Sequence, residues 1–434
     1  MPLVAYSFDS FMPKQLGPQD LSHYLRPGVS VYWPGCAGQS PLFEQWLLVQ
    51  PEVAAGVSFC GAWIPGVNRF DPSALHPQAK ATSFFLSPEF HASWQRGALD
   101  YLPLHYSEIA RYLSQPGRFD IVMLHLASPD DQGHCSLSLA ADFTPSVMQA
   151  IHAGAVVLAH INPMLPRTRG PFIPVSRINA WAQAALPPLS ITLGTRNPAL
   201  KAVATQVAQL VSDGDTLQFG LGRLQAEVLA ALTSHRHLKV HSGMVSDALL
   251  DLIESGSLLS PSMHSPPVCT GMAIGSAALY QAVSDPCLVQ FSPVSHTHAH
   301  ATLAGLPHLK AINSALEIDL LGQVNCATLK GRQVSGIGGL VDLTRGARAS
   351  QGGMGIVAAT ALAGRAHQSR IVPMLDPSAV SMSRSDVDTV VTEHGAAHLR
   401  HLGLDDRAHA LIAIAAPEHR EHLHQAWRTL RRNL

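Results

Sequence analysis

The chain has 434 residues, of which 47% are apolar and 14% are charged. This length predicts two or three domains, and the composition is typical of a folded enzyme and argues against a disordered chain. The formal net charge of −1 gives no broad electrostatic reason to expect nucleic acid or a membrane surface as a partner.

The cysteines and the N-terminus indicate the compartment. The six cysteines are scattered and form no CxxC pair, so reduced thiols are the simplest interpretation for a chain of this size. The N-terminal residues lack a basic segment followed by an apolar run, and no apolar stretch is long enough to span a membrane. We therefore expect a cytoplasmic protein.

Short β-rich runs alternate with amphipathic helical patterns, which predicts an α/β fold. The predicted strands, in chain order, are 29–33, 120–127, 154–161, 238–241, 310–321, 370–375, 389–392 and 411–415. The predicted helices are 40–49, 224–232 and 418–432.

An internal similarity suggests how these elements are grouped. Residues 27–47 and 213–232 both run from a glycine turn through a strand and paired glycines into a helix. This repeat predicts two related α/β domains that arose by duplication, although such units recur in any α/β protein. The segment 184–199 is rich in proline and turn residues and is the expected linker. The predicted domains are therefore 1–188 and 189–434.

Residues 310–321 place two acids on one face of the predicted strand. If the strand is continuous, Glu317 and Asp319 share a face and an apolar set lines the other. The two carboxylates would then point away from the core, towards solvent or a cleft. An ordinary solvated strand face is the alternative interpretation.

A glycine loop follows in the run SGIGGLVD, at Gly336, Gly338 and Gly339. Glycines allow backbone N–H groups to approach a phosphate or an oxyanion closely, although a tight turn has the same composition. The chain has no P-loop motif and no complete GxGxxG in a strand–helix context, which lowers the odds of an NTPase or a dinucleotide enzyme. Arg345 and Arg348 come next and would suit a phosphorylated ligand.

Several motifs together resemble one family. The runs AINSALEIDLLGQV, SGIGGLVDLTRGA, SRIVP and DVDTVVTEHGAAHLR are similar, in this order, to the acetyl-CoA hydrolase/transferase family, which includes 4-hydroxybutyrate and butyrate CoA-transferases. PGCAGQSPL, LQFGLGRLQAEVLAAL and HSGMVSD extend the resemblance over most of the chain. It implies two α/β domains of similar build with the active site in the cleft between them, and a homodimer or higher homo-oligomer.

The resemblance also implies a mechanism. Glu317 would be the nucleophile that attacks an acyl-CoA and then carries coenzyme A as a glutamyl-CoA thioester. A second short carboxylate would take the coenzyme A in a ping-pong reaction. A carboxylate that is ionised at pH 7 needs no base, and its target is an activated thioester.

The same resemblance implies the residues that bind coenzyme A. The expected oxyanion and CoA contacts are five glycines: Gly336, Gly338, Gly339, Gly35 and Gly38. Arg345 and Lys310 are the expected phosphate contacts. Coenzyme A is the expected substrate and covalent intermediate, and no metal is expected.

Two positions depart from the family pattern. Gly243 stands where many relatives carry glutamate, and Leu340 replaces a polar glutamine. Both changes predict a roomier or less polar site, so the acyl-CoA and the acid stay open among acetate, butyrate, 4-hydroxybutyrate, succinate and itaconate-like acids. Acyl-CoA hydrolysis by the same glutamate and a CoA-binding regulatory protein without activity are the alternatives.

Two further features receive ordinary interpretations. His296, His298 and His300 alternate and could hold a metal on one strand face, but the sequence identifies no acidic or cysteine ligand beside them. A loop of ordinary polar histidines is therefore favoured. Cys326, near Glu317 in sequence, is predicted to be a buried structural thiol rather than a nucleophile.

Overall fold

A computed structural model describes residues 14–192, 197–364 and 367–434. Two largely parallel sheets organise the chain, one formed by its first half and one by its second. Because the strands of parallel sheets are buried on both faces, they read as continuous apolar runs, as the six residues Ile121–Leu126 do. The predicted α/β fold is confirmed.

The first sheet contains seven parallel strands. From one edge to the other they are Leu99–Tyr101, Lys80–Ser83, Ser58–Gly61, Ser30–Tyr32, Ile121–Leu126, Val156–Ile161 and Ala180–Gln183.

The second sheet contains eight strands, and only the last of them is antiparallel to its neighbour. From edge to edge they are Val289–Phe291, Val268–Ala273, Lys239–Val245, Thr216–Phe219, Leu309–Ser314, Met354–Ala358, Thr389–Thr392 and Gly395–His398.

The two sheets share one topology. Numbered within its own sheet, each set of strands has the order 4-3-2-1-5-6-7, and the second sheet adds an eighth strand. The repeated segments at 27–47 and 213–232 each provide the first strand of their sheet and the helix that follows it, Pro41–Val49 and Arg223–Ala231. This shared order supports the predicted duplication.

Helices cover the sheets and connect their strands. The α-helices are Leu21–Tyr24, Pro41–Val49, His91–Gln95, Tyr106–Leu113, Thr144–Ala150, Pro198–Ala208, Arg223–Ala231, Ala248–Glu254, Ala277–Ala282, Val294–Thr297, His300–Gly305, Leu340–Ala349, Leu404–Ala413 and Pro417–Arg431. Over the described ranges, no helix combines the length and apolar character needed to cross a membrane. The expected linker at 184–199 has no regular structure up to residue 192, its residues 193–196 lie outside the described residues, and a helix begins at Pro198.

Four smaller sheets complete the fold of the described residues. One joins Glu317–Asp319 to Val324–Asn325 and Ile371–Val372, and the others are two-stranded. The two-stranded pairs are His134–Ser136 with Phe172–Pro174, Thr328–Leu329 with Arg332–Gln333, and Leu362–Ala363 with Gln368–Ser369.

Two predicted strands were wrong, and the alternating histidines do not lie on a strand either. The run 310–321 is not one strand, because it leaves the large sheet after Ser314 and resumes at Glu317 in a small sheet. The run 411–415 ends the helix Leu404–Ala413, whose earlier residues are polar. The alternating histidines begin in the helix Val294–Thr297 rather than on a strand.

Candidate active site

A cleft of about 260 Å³ lies where the two halves of the chain meet. It opens over the carboxyl ends of Thr216–Phe219 and Leu309–Ser314, the neighbouring strands at which the strand order of the second sheet reverses. Ligands of open α/β sheets bind at this switch point. The first half closes the cleft with Ile64, Phe85 and Tyr106.

The predicted glycine loop forms one wall of this cleft, with Gly336, Gly338 and Gly339 all among its lining residues. A Cβ atom at Gly336 would lie 2.4 Å from the Phe84 carbonyl oxygen, so only glycine allows this approach. Gly338 has a φ of 61°, and its carbonyl oxygen accepts a hydrogen bond of 3.2 Å from the Tyr106 N–H. The loop thus bridges the two halves of the chain.

The loop ends at the N-terminus of the helix Leu340–Ala349, whose N-cap is Gly339. No side chain caps this helix, so its first N–H groups are available beside the cleft. Asp342 in its first turn instead accepts hydrogen bonds of 2.9 and 2.8 Å from the N–H and hydroxyl of Ser107. The positive end of the helix dipole and these amides suit a developing oxyanion.

His298 lines the cleft and is 3% exposed. Its ring packs against Tyr106 at a centroid distance of 4.8 Å, with the two ring planes tilted by 32°. A Cβ atom at Gly243 would lie 2.5 Å from Cε1 of this ring, and one at Gly339 would lie 2.5 Å from its Nε2. The imidazole therefore fills the space into which a side chain at position 243 would project.

The remaining polar groups of the cleft are neutral. Asn313 donates a hydrogen bond of 3.1 Å to Gln218, and Gln225 donates one of 3.2 Å to Ser314. Burial, followed by the nearby His241, lowers the pKa of His298 to about 3. Among the described residues that line the cleft, none is an aspartate or a glutamate.

Cys326 also lines this cleft. Burial raises the pKa of its thiol, and its backbone N–H donates to Ser381. Because the thiolate and not the thiol is the nucleophile, this environment favours the predicted structural role.

A buried carboxyl group lies behind the cleft wall. Asp142 is 6% exposed and interacts electrostatically with Tyr106, which lines the cleft. Burial raises the pKa of Asp142 to about 7. Its backbone carbonyl accepts a hydrogen bond of 2.9 Å from Val294, which ties it to the turn that carries His298.

The structure places Glu317 elsewhere. Its side chain lines a separate cavity of about 650 Å³, together with Lys330 and His422. Asn325, opposite Glu317 on the neighbouring strand, donates a hydrogen bond of 3.0 Å to Oε2 of the carboxylate, and Arg370 interacts with it electrostatically. The structure therefore does not bring the predicted nucleophile and the predicted oxyanion loop into one cavity. The chemical role of Glu317 stays a prediction.

Strand alternation predicted that Asp319 shares an outward face with Glu317, and this prediction was wrong. Its side chain is fully buried, and its Oδ1 accepts hydrogen bonds from the backbone N–H groups of Leu321 and Gln323. It is a structural residue that closes the turn between the strands of the small sheet.

The predicted phosphate contacts are engaged with protein groups. Lys310 lies at the opposite end of its strand from the cleft, is 7% exposed, donates to the Gly352 carbonyl and lies 3.7 Å from Asp215. Arg345 makes two hydrogen bonds of 2.9 Å to Asp386. A phosphate contact at Lys310 would compete with these partners, whereas the Arg345 side chain is 55% exposed and keeps Nη1 available. Both phosphate contacts stay predictions.

Gly35 and Gly38 are not among the residues that line the cleft. Gly35 packs so closely on the neighbouring strand end that a Cβ atom would lie 1.8 Å from the Ala62 carbonyl oxygen. At Gly38, the side chains of Pro34 and Ala140 occupy the space that an added Cβ atom would need. Close packing of the first half therefore accounts for both glycines, and their role in binding CoA stays a prediction.

The sequence drew attention to His298 as one of three alternating histidines but did not predict that it lines the cleft. The glycine at position 243 was a second signal, because another group can fill the space of an absent side chain.

Comparison with known proteins identifies the class of protein. The family model "acetyl-CoA hydrolase/transferase C-terminal domain" matches residues 275–427. The 4-hydroxybutyrate coenzyme A transferase of Clostridium kluyveri is 35% identical over 332 residues, which are 75% of this chain and 77% of that protein. The succinyl-CoA:acetate/propanoyl-CoA:succinate CoA transferase of Fasciola hepatica is 33% identical over 93% of this chain and 85% of its own length.

Solved structures agree with this assignment. The 4-hydroxybutyrate CoA-transferase of Porphyromonas gingivalis is 27% identical, with a TM-score of 0.77 over 96% of this chain and 97% of that one. RipA from Yersinia pestis has a TM-score of 0.87 at 24% identity, covers 96% and 98% of the two chains, and shares the fold. The chain belongs to the acetyl-CoA hydrolase/transferase family, as its motifs predicted.

Proposed function

We propose that this protein is an acyl-CoA:carboxylate CoA-transferase that holds its thioester in the glycine-loop cleft. The observation that carries the proposal is the joint position of the glycine loop and an uncapped helix N-terminus at the switch point of the second sheet. Their N–H groups suit the oxyanion that forms when a thioester carbonyl is attacked. The relatives named as CoA transferases support the same reaction class.

The size and polarity of the cleft favour a short acyl group. A volume of about 260 Å³ accommodates a small acyl chain and the end of the pantetheine arm rather than a whole coenzyme. Leu340, Leu343 and Met244 give part of the lining an apolar character. Short donors and acceptors, such as acetyl or butyryl groups and 4-hydroxybutyrate, are therefore the first substrates to test.

The finer mechanism depends on which carboxylate attacks. In the predicted ping-pong route, Glu317 attacks the acyl-CoA and forms an acyl-glutamyl anhydride and CoA thiolate, which returns to give a glutamyl-CoA thioester. This route requires the thioester to reach the separate cavity that Glu317 lines, where Asn325 donates a hydrogen bond to the carboxylate.

The alternative is a route without a protein carboxylate, since the described lining of the cleft contains none. Here the acceptor acid itself attacks the thioester carbonyl in a ternary complex and expels CoA thiolate. The thiolate then attacks the acceptor's carbonyl in the mixed anhydride, which forms the new thioester and releases the donor's carboxylate. No group is oxidised or reduced, and no protein adduct forms.

Steady-state kinetics separate the two routes. A ternary complex gives intersecting lines when reciprocal rate is plotted against reciprocal acyl-CoA concentration at several acid concentrations, and the ping-pong route gives parallel lines. Trapping with hydroxylamine followed by mass spectrometry gives the independent readout. An adduct at Glu317 together with parallel lines would establish the glutamyl-CoA route.

Acyl-CoA hydrolysis is the second candidate function. The backbone amides of the cleft would stabilise the oxyanion formed by attack of water as well as that formed by attack of a carboxylate. Release of free thiol from acetyl- or butyryl-CoA at the full rate with no acid present would establish hydrolysis instead of transfer. A homodimer and a cytoplasmic location stay predictions.

A further inference from the structure

Three side chains that are far apart in sequence meet beside the cleft. They are His241, Cys269 and His296, whose nitrogen and sulfur atoms all lie within 4.8 Å of one another. The sequence offered no cysteine near the alternating histidines, and the structure supplies one from another strand.

The fold explains why the three meet. His241 and Cys269 are paired in register on adjacent parallel strands, so their side chains project from the same face of the sheet. The helix Val294–Thr297 packs against these two strands. This packing brings the His296 ring to a centroid distance of 5.5 Å from the His241 ring.

Hydrogen bonds position two of the three side chains. The Cys269 thiol donates to the Ser292 hydroxyl oxygen at 3.5 Å, and a Cys269 thiolate would accept from that hydroxyl instead. Nε2 of His241 lies 3.2 Å from the carbonyl oxygen of Thr297, which can only accept, so Nε2 carries the hydrogen and the lone pair is on Nδ1. A histidine ligand is commonly held in this way by a backbone carbonyl. Cys269 is partly exposed and His296 is exposed, so an ion and the departing thiol proton have access to solvent.

We propose that His241, Cys269 and His296 bind a zinc ion. Two imidazoles and one thiolate are the donor set that Zn²⁺ prefers, whereas Ca²⁺ and Mg²⁺ prefer oxygen. The thiol loses its proton to solvent as the Zn–S bond forms, and no electron is transferred. Three protein ligands leave the fourth tetrahedral position for water or a carboxylate oxygen.

The position of this site connects it to the cleft. Gly243 follows His241 by two residues on the same strand face, a distance of about 7 Å, and His298 follows His296 by two residues. A zinc ion would therefore hold the turn that places His298 between Gly243 and Gly339. The site stands on its own ligands and does not depend on the proposed CoA transfer.

Cobalt binding tests the proposal, because Co²⁺ replaces Zn²⁺ and reports its ligands in the absorption spectrum. The full-length protein is stripped with a chelator and titrated with Co²⁺. We expect one equivalent to bind, with a near-ultraviolet charge-transfer band from the Cys269 thiolate and visible bands typical of tetrahedral cobalt. Added Zn²⁺ should displace the cobalt and remove these bands.

Matched variants locate the ligands. Cys269→Ser should abolish the charge-transfer band, and Cys287→Ser, at another partly exposed cysteine, should retain it. His296→Asn, on the surface of the helix, should weaken cobalt binding by about tenfold or more, whereas His300→Asn should not. Absence of the band in the parent protein, or its persistence in Cys269→Ser, would overturn the proposal. Circular dichroism confirms that each variant is folded.

Discussion

The glycine-loop cleft and the Glu317 cavity take their walls from neighbouring parts of the chain, yet they offer different chemical groups. The cleft has backbone amides, a helix N-terminus and the neutral His298, and its described lining has no carboxylate. The cavity has a carboxylate that Asn325 holds in place. Residues that are close in sequence diverge here because the chain changes sheets between Ser314 and Glu317.

If the cleft is where the thioester reacts, the largest loss of activity should come from a change in the cleft wall. Gly339→Ala should lower kcat/KM for CoA transfer by about 10²- to 10³-fold, because the new Cβ would lie 2.5 Å from Nε2 of His298 and would displace the amides that stabilise the oxyanion. The φ of −87° at this position is accessible to alanine. The loss should therefore appear in the rate and not in the helix content.

Gly403→Ala is the matched control for this variant. Gly403 is also the N-cap of a helix, has a φ of −67°, and has no atom within 4 Å of an added Cβ. It should leave transfer unchanged. Equal activity of the two variants would mean that the glycine loop does not meet the thioester.

The carboxyl group behind the cleft predicts a pH effect on stability. Because burial raises the folded-state pKa of Asp142 from 3.8 to about 7, the folded protein holds this proton more tightly than the unfolded chain. The resulting stabilisation is complete below about pH 4 and is lost as the pH rises through about 7. Asp142→Asn removes this dependence, so its stability relative to the parent should improve by about 2–4 kcal/mol between pH 4 and pH 7.5. Urea unfolding at several pH values measures the difference, and parallel stability curves would contradict the assignment.

The close packing of His298 on Gly243 predicts a smaller effect, on the free energy of unfolding. Gly243→Ala should lower the free energy of unfolding by about 1–3 kcal/mol, because the added Cβ would lie 2.5 Å from Cε1 of the ring. In the background of His298→Ala, the same change should cost little, since the obstructing ring is gone. A double-mutant cycle by urea unfolding measures this coupling. Additive changes would show that the two residues do not compete for one space.

The effect expected at Glu317 depends on which carboxylate attacks, and it is the smallest of the four if the acceptor acid attacks in the cleft. Glu317→Gln keeps an oxygen that can accept the Asn325 hydrogen bond, so the fold should be retained. If the chemistry takes place in the cleft, transfer should fall by less than about tenfold. A loss of about 10³-fold or more, with intact coenzyme A binding, would establish Glu317 as the covalent carrier.

The sequence predicted the fold more fully than the site. Buried apolar runs located strands such as Ile121–Leu126 and Thr389–Thr392, and the repeated strand–glycine–helix unit anticipated two sheets of one topology. Packing in a parallel sheet produces these signals locally, so they can be read from one sequence. The glycine loop was located for a similar reason, because only glycine permits its close approach to Phe84.

The site itself depends on contacts that no local pattern contains. Alternation predicted that Glu317 and Asp319 both point away from the core, but the turn after the strand Glu317–Asp319 folds over Asp319 and buries it. The run at 411–415 looked like a strand because the polar part of its helix precedes it. The position of His298 between two glycines, and the meeting of His296 with Cys269, are set by how the helix Val294–Thr297 packs on the second sheet.

Exchange of isotope label tests the central claim of CoA transfer most directly. The protein is incubated with butyryl-CoA and carboxyl-labelled acetate, and then with the same donor and the other short acids. If the protein transfers CoA, label enters the acyl-CoA pool while the same amount of butyrate is released and no free thiol accumulates. Release of free coenzyme A at the same rate with and without acid, or no exchange with any of the acids, would contradict it.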